Sequence, residues 1–153
     1  MRPNKLVIVF FPFVFVCFAL AVASVSAQIP KGINESFTKG NSRNLSVHFN
    51  ENIELVVLNN EDVYSKSQAE LILRNFFSEN KPVKFELLHQ GGKEASRYAI
   101  GNLQTEKGNF RIYFLLKLKD SVQLIHLLRI ERVEEAVLIQ DLMNDLLQGS
   151  YNN

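Results

Sequence analysis

The stretch FRIYFLLKLKDSVQLIHLLRIE, residues 110–131, decides the fold. Apolar side chains recur at every second position on both sides of Lys119-Asp120-Ser121, the period of a half-buried strand. Asp and Ser at the middle are turn residues, so the stretch predicts a β-hairpin. A three-residue loop at 119–121 pairs Leu118 with Val122, Leu116 with Leu124, Phe114 with His126, Ile112 with Leu128 and Phe110 with Ile130. One face is then apolar apart from His126, and a slip of one residue would mix the faces. The opposite face carries Arg111, Tyr113, Leu115 and Lys117 beside Gln123, Ile125, Leu127 and Arg129. Its centre (Tyr113, Leu115, Ile125, Leu127) is too apolar to stand bare in water. These four are the candidate interface residues, covered either by a second subunit, which makes a homodimer the expected state, or by the C-terminal segment. Arg111 and Arg129 lie cross-strand, where like charges repel. Either an acid such as Glu131 or Glu134 stands between them, or both ends are solvated.

Period two extends upstream, with strands expected at 84–90 and 96–105 ahead of 109–118 and 122–131. Before residue 82 the period is helical. Pro30 opens and Gly40 closes a segment in which Ile29, Ile33 and Phe37 share one face. Asn41 or Ser42 caps a short helix carrying Leu45, His48 and Phe49. Residues 53–58 read as a strand stopped by Asn59-Asn60. Ser65 and Gln68 form a capping box ahead of Ala69, Ile72, Leu73, Phe76 and Phe77, an amphipathic helix ended by Asn80-Lys81-Pro82. Helices first and then a meander predict an α+β fold, helices on one face of a bent antiparallel sheet.

Two flanking segments complete the chain. Arg2 and Lys5, the apolar run from Leu6 to Ala23 and the small residues Val25-Ser26-Ala27 read as a signal peptide over 1–27. Export to the periplasm or the medium follows, with no membrane anchor after cleavage; an uncleaved anchor is the alternative. From Val133 to Gln148, Ile139, Leu142, Met143, Leu146 and Leu147 line one helical stripe and Glu134, Asp141, Asn144, Asp145 and Gln148 the other. This predicts a C-terminal amphipathic helix over 132–153, with a frayed tail after Gly149. The domain itself is expected at 28–131.

Cys17, the single cysteine, lies in the signal, so no disulfide supports the core. The signal holds two of the 17 Lys and Arg and none of the 16 acids, leaving a formal charge of −1 on the rest. That balance points to no nucleic-acid partner.

The order of elements is similar to the cone-shaped fold of the nuclear-transport-factor-2-like superfamily, which includes ketosteroid isomerase. Val63-Tyr64-Ser65-Lys66-Ser67-Gln68-Ala69-Glu70, Leu88-His89-Gln90-Gly91-Gly92-Lys93-Glu94 and Leu124-Ile125-His126-Leu127-Leu128-Arg129-Ile130-Glu131 resemble a family of small exported bacterial domains of unknown function within it. The resemblance implies a pocket between the concave sheet face and the helices.

On that implication the pocket candidates are His89, Arg97, Phe114 and His126. Alternation puts Phe85, Leu87 and His89 on one face. A loop at 106–109 that pairs Thr105 with Phe110 brings Arg97, Ala99, Gly101 and Leu103 to the face of Phe114 and Leu116. Ala99 and Gly101 then either leave a cavity or let the sheet bend. His89 and His126 are either an acid/base pair or two satisfied core histidines. No Asp falls in an expected strand, since Asp62 and Asp120 are read as turn residues and Tyr98 and Tyr113 point outward. No catalytic residue is carried over from ketosteroid isomerase, which uses an Asp base with a Tyr and a protonated Asp. No cofactor or metal site is expected: three histidines lack ligand spacing, and Gly91-Gly92-Lys93 lacks the strand-to-helix setting of a phosphate loop. The expected role is a non-enzymatic exported domain that binds a small apolar ligand or a partner protein at the cone mouth. The alternatives are a small isomerase, cyclase or hydrolase using His89 and His126, and a structural envelope protein docking through its C-terminal helix.

Overall fold

The computed structural model describes residues 29–133. The expected signal over 1–27 and the C-terminal helix beyond Val133 lie outside them. Three helices and six strands follow in the order α1 (Lys31–Lys39), α2 (Ser42–Ser46), β1 (Phe49–Val57), β2 (Asn60–Ser65), α3 (Lys66–Glu79), β3 (Pro82–Lys93), β4 (Ser96–Thr105), β5 (Gly108–Lys119) and β6 (Val122–Arg132). Among these described residues no helix is long and apolar enough to cross a membrane.

Local chemistry sets the helix ends. Pro30 precedes α1, and Gly40 closes it at φ 61°, its N–H bonded back to the Phe37 carbonyl. A left-handed C-terminal cap of this kind favours glycine. The Asn41 side chain accepts the Asn44 N–H at the start of α2. Ser65 and Gln68 make the expected reciprocal capping box on α3.

The strands form one sheet in the order β2-β1-β6-β5-β4-β3. All neighbours are antiparallel except β1 and β6. Asn59-Asn60 does not end the sheet. It turns β1 into a hairpin with β2, a strand that the polar sequence Asn60–Ser65 conceals, and Asp62 lies within it. All three helices pack on one face. Phe37 of α1 stacks on Phe114, and Phe76 of α3 meets Phe110 edge to face. Ile33, Leu45, Ile53, Leu55, Leu73, Leu103, Ile112, Leu116 and Leu128 are buried around them.

Two turns are tighter than expected. Thr105 pairs with Gly108 and Leu103 with Phe110, so β4 shifts by two residues against β5. An even shift preserves the faces, and Ala99 opposes Phe114 in place of Leu116. Lys119 pairs with Val122 across Asp120 and Ser121, both at positive φ (50° and 65°). This is a two-residue primed turn, whose twist matches that of the strands it joins. It replaces the three-residue loop at 119–121 and shifts the register by one.

The shift does not expose the core, because a β-bulge at His126 corrects it. Leu116 pairs with Ile125 and Leu115 with Leu127, leaving His126 without an opposite number. Ile125 thereby enters the core fully buried, where strict alternation puts His126. Burying an isoleucine is worth about 2 kcal/mol, whereas burying an imidazole without a partner costs about as much. The bulge buries Ile125 fully and leaves His126 only half-buried. A second bulge, at Leu88, does the same in β3. Leu87 opposes Gly101 and His89 opposes Ile100, so Phe85 and Leu87 face inward and His89 outward.

Candidate functional site

Among the described residues, three places have the shape or chemistry of a site. The first is the cone interior, where the sequence places the pocket. It is filled. A Cβ on Gly101 would lie 2.4 Å from Cζ and 2.5 Å from Cε2 of Phe85. Gly101 is small because an aromatic ring rests on it. Phe85 stacks on Phe37 at 4.8 Å between centroids, and Phe37 on Phe114 at 6.0 Å. Phe77, Phe76 and Phe110 continue the series. Of the four pocket candidates, Phe114 is wholly buried in this stack. Arg97 opposes Leu116 and is half-buried at the turn end of β4.

The two histidines do not meet. His89 is exposed on the outer face, where its Nε2 lies 3.1 Å from the Tyr98 hydroxyl. His126 is three strands away across the sheet, about 14 Å by strand spacing. Its Nε2 is buried without a partner. Burial, and then the charges of Lys117 and Lys119, hold its pKa below the ordinary value. Both corrections have one cause. Each histidine is at or just after a bulge, and a bulge reverses the inward and outward sense of every residue beyond it. Adjacent large apolar residues flank both bulges, Leu87-Leu88 and Leu127-Leu128, but they are no signal by themselves, since Leu115-Leu116 stand together in the unbulged β5.

The second place is a cleft of about 300 Å³ between α1 and α2, lined by Gly32, Glu35, Ser36, Lys39, Asn41, Asn44, Val47 and His48. No sequence pattern announces it, because it arises where two short helices meet. The His48 ring lies against Gly32, whose Cβ would stand 2.9 Å from Nε2. Burial, and then Lys66, push the His48 pKa down and keep the ring neutral at pH 7. Ser36 donates to the Gly32 carbonyl at 2.6 Å, and Glu35 faces Lys39 at 3.9 Å. The cleft therefore offers polar groups that are partly engaged with each other, and its volume is at the low end for ligand pockets.

The third place is the outer face of the sheet, opposite the helices. Register gives its rows directly. One row runs Glu61, Val56, Arg129, Tyr113, Ile100, His89; the next runs Val63, Glu54, Leu127, Leu115, Tyr98, Gly91. Tyr113, Leu115 and Leu127 are on this face and half-buried. Ile125, expected beside them, is in the core instead. Tyr98 and Tyr113 stack with centroids 6.3 Å apart. A charged rim borders the rows at one end. Arg129 reaches Glu131 at 3.1 Å and Glu61 at 3.9 Å, flanking the buried Val56. Arg111 opposes Glu131 in the register, so an acid does stand between the two arginines. Lys117 lies at the other end. No helix among the described residues lies over this face.

Comparison with known proteins bears on the fold and the family. A domain family described as "Domain of unknown function (DUF4783)" matches residues 30–131. A crystal structure of a DUF4783 family protein from Bacteroides fragilis YCH46 is 36% identical, with a TM-score of 0.66, and covers 69% of this chain and 100% of that one. At 16% identity, a chain named "Rd1NTF2_04 with long sheet" has a TM-score of 0.55 and covers 65% of this chain and 94% of that one. A domain of unknown function with a cystatin-like fold from Nostoc punctiforme is 9% identical, with a TM-score of 0.56, and covers 80% of this chain and 92% of that one. At such identities the last two show fold alone, and the fold has both nuclear-transport-factor-2-like and cystatin-like neighbours. No curated protein matches the chain.

Proposed function

This chain belongs to the DUF4783 family of unknown function, and from that premise we propose that it is an exported, non-enzymatic interaction domain that self-associates through the outer face of its sheet. One contrast carries the reading. The interior is closed by Phe85 on Gly101, while Tyr98, Ile100, Tyr113, Leu115 and Leu127 form an apolar centre on the face that no described helix covers. A contiguous apolar patch with a charged rim is the usual composition of a protein interface. Export is supported by the basic start, apolar run and Val25-Ser26-Ala27.

The competing readings have less support. A small apolar ligand in the cone would have to displace the phenylalanine stack. Acid/base work by His89 and His126 would require them to share a substrate across three strands. Sedimentation of the full chain, expressed with its leader and purified from the cell envelope, tests the proposal. A concentration-dependent dimer that Leu115→Glu weakens at least tenfold is expected. A monomer at every concentration, unchanged by Leu115→Glu, would refute self-association.

A further inference from the structure

If the outer face is the working surface, as just proposed, its apolar centre needs a cover in the free chain. We infer that residues 134–153 of the same chain provide it, folding back over the outer face and competing with a second copy. Three observations converge on this segment as the occupant.

The first is position. Strand β6 ends at Arg132, whose guanidinium lies 5.1 Å over the Phe110 ring, at the rim where Arg111 and Glu131 face each other. Val133, the last described residue, is helical. The chain therefore leaves the sheet at one end of the outer face and has only to turn back along it. The second is length. The sixteen-residue helix expected from sequence over Val133–Gln148 would span about 24 Å, and the face from Arg111 to Lys117 is about 20 Å long at strand spacing. The third is pattern. Ile139, Leu142, Met143, Leu146 and Leu147 make one apolar stripe, wide enough for the two rows centred on Tyr113 and Leu115.

Tethering favours this occupant over a free partner. A short connection presents the segment at an effective concentration in the millimolar range. A second copy must then compete with it, and the apparent dimer affinity falls by the fraction of chains left open. The segment acts as a built-in competitor for the face.

The test is the double substitution Leu142→Asp with Leu146→Asp in the full chain, which leaves residues 29–133 untouched. Two measurements are made on wild type and variant: the dimer dissociation constant by sedimentation, and the nitration rates of Tyr98 and Tyr113 by tetranitromethane, with Tyr64 as internal control. The expected result is dimerisation tightened on the order of tenfold and several-fold faster nitration of Tyr98 and Tyr113 at concentrations where both proteins are monomeric. Unchanged values of both quantities would overturn the inference and leave self-association standing. A weaker dimer in the variant would also overturn it, by making the segment part of the interface. Faster nitration with both proteins monomeric at every concentration would support the cover and refute self-association.

Discussion

Replacing Gly101 by alanine puts the filled interior to a direct test. The new methyl would stand 2.4 and 2.5 Å from two Phe85 ring atoms and 3.1 Å from the Glu86 carbonyl oxygen. Ordinary carbon contacts are near 3.5–4.0 Å, so the ring must retreat by about 1 Å. It cannot do so freely, because its other face stacks on Phe37, which is fully buried and also packs on Phe114. Overpacking of this kind costs about 1–3 kcal/mol. Alanine recovers about 0.4–1 kcal/mol by restricting the unfolded chain. The net loss is therefore about 1–2 kcal/mol, or roughly 4–10 °C in Tm for a domain of this size. Urea unfolding followed by far-UV circular dichroism measures it. The same substitution is then made beside Phe85→Leu, a smaller and more flexible side chain. If the clash is the cause, Gly101→Ala costs at least about 1 kcal/mol less in that background, a coupling typical of residues in contact. Wild-type stability for Gly101→Ala alone, or equal costs in both backgrounds, would refute the packing of Phe85 on Gly101 and reopen the cone as a ligand cavity.

Three further outcomes follow from the same structure. Ile125→Ala should cost about 2–5 kcal/mol and His126→Ala less than about 1, measured by denaturant unfolding; the reverse order would remove the bulge at His126. Ser65→Ala should cost about 1 kcal/mol through loss of the capping box on α3, and a null effect would argue that the bonds are not formed in solution. His48 and His126 both have pKa values held below the ordinary value of about 6.5. The unfolded chain thus binds more protons than the folded one below that pH, so stability should be level above about 6.5 and fall as pH drops beneath it. The double variant His48→Gln, His126→Gln should flatten that decline, and an unchanged pH profile would mean the histidines are not its source.

Most of the fold was legible because its signals are local. The α3 capping box, the proline and glycine around α1 and the period-two pattern of the last four strands are each contained in a dozen residues. What was not legible depends on partners remote in the chain. β2 is polar and short, and only its pairing with β1 makes it a strand. The bulges at Leu88 and His126 are choices between two faces, decided by which neighbour gains more from burial. The candidate site suffered most, since both histidines were assigned by an alternation that the bulges break. Tyr113, Leu115 and Leu127 were placed on the outer face despite the wrong register. The turn at 120–121 and the bulge each move the pairing by one, so together they restore the faces beyond residue 126. Ile125 lies between the two shifts and was the one misplaced.

The parallel pairing of β1 with β6 gives the chain an order of events. The hairpins β3-β4, β4-β5 and β5-β6 join neighbours in sequence and close quickly. By contrast, β1 has only the short, polar β2 beside it until Leu55 reaches Leu128 and Val57 reaches Ile130. Synthesis delivers Leu55 long before Leu128, and closure of so long a loop is slow. A ribosome that releases this chain from its N-terminus therefore releases a half-sheet that cannot finish folding until nearly the last strand is out. A chain of this topology stays threadable throughout its own synthesis, and its final strand is the one that commits it to the native state.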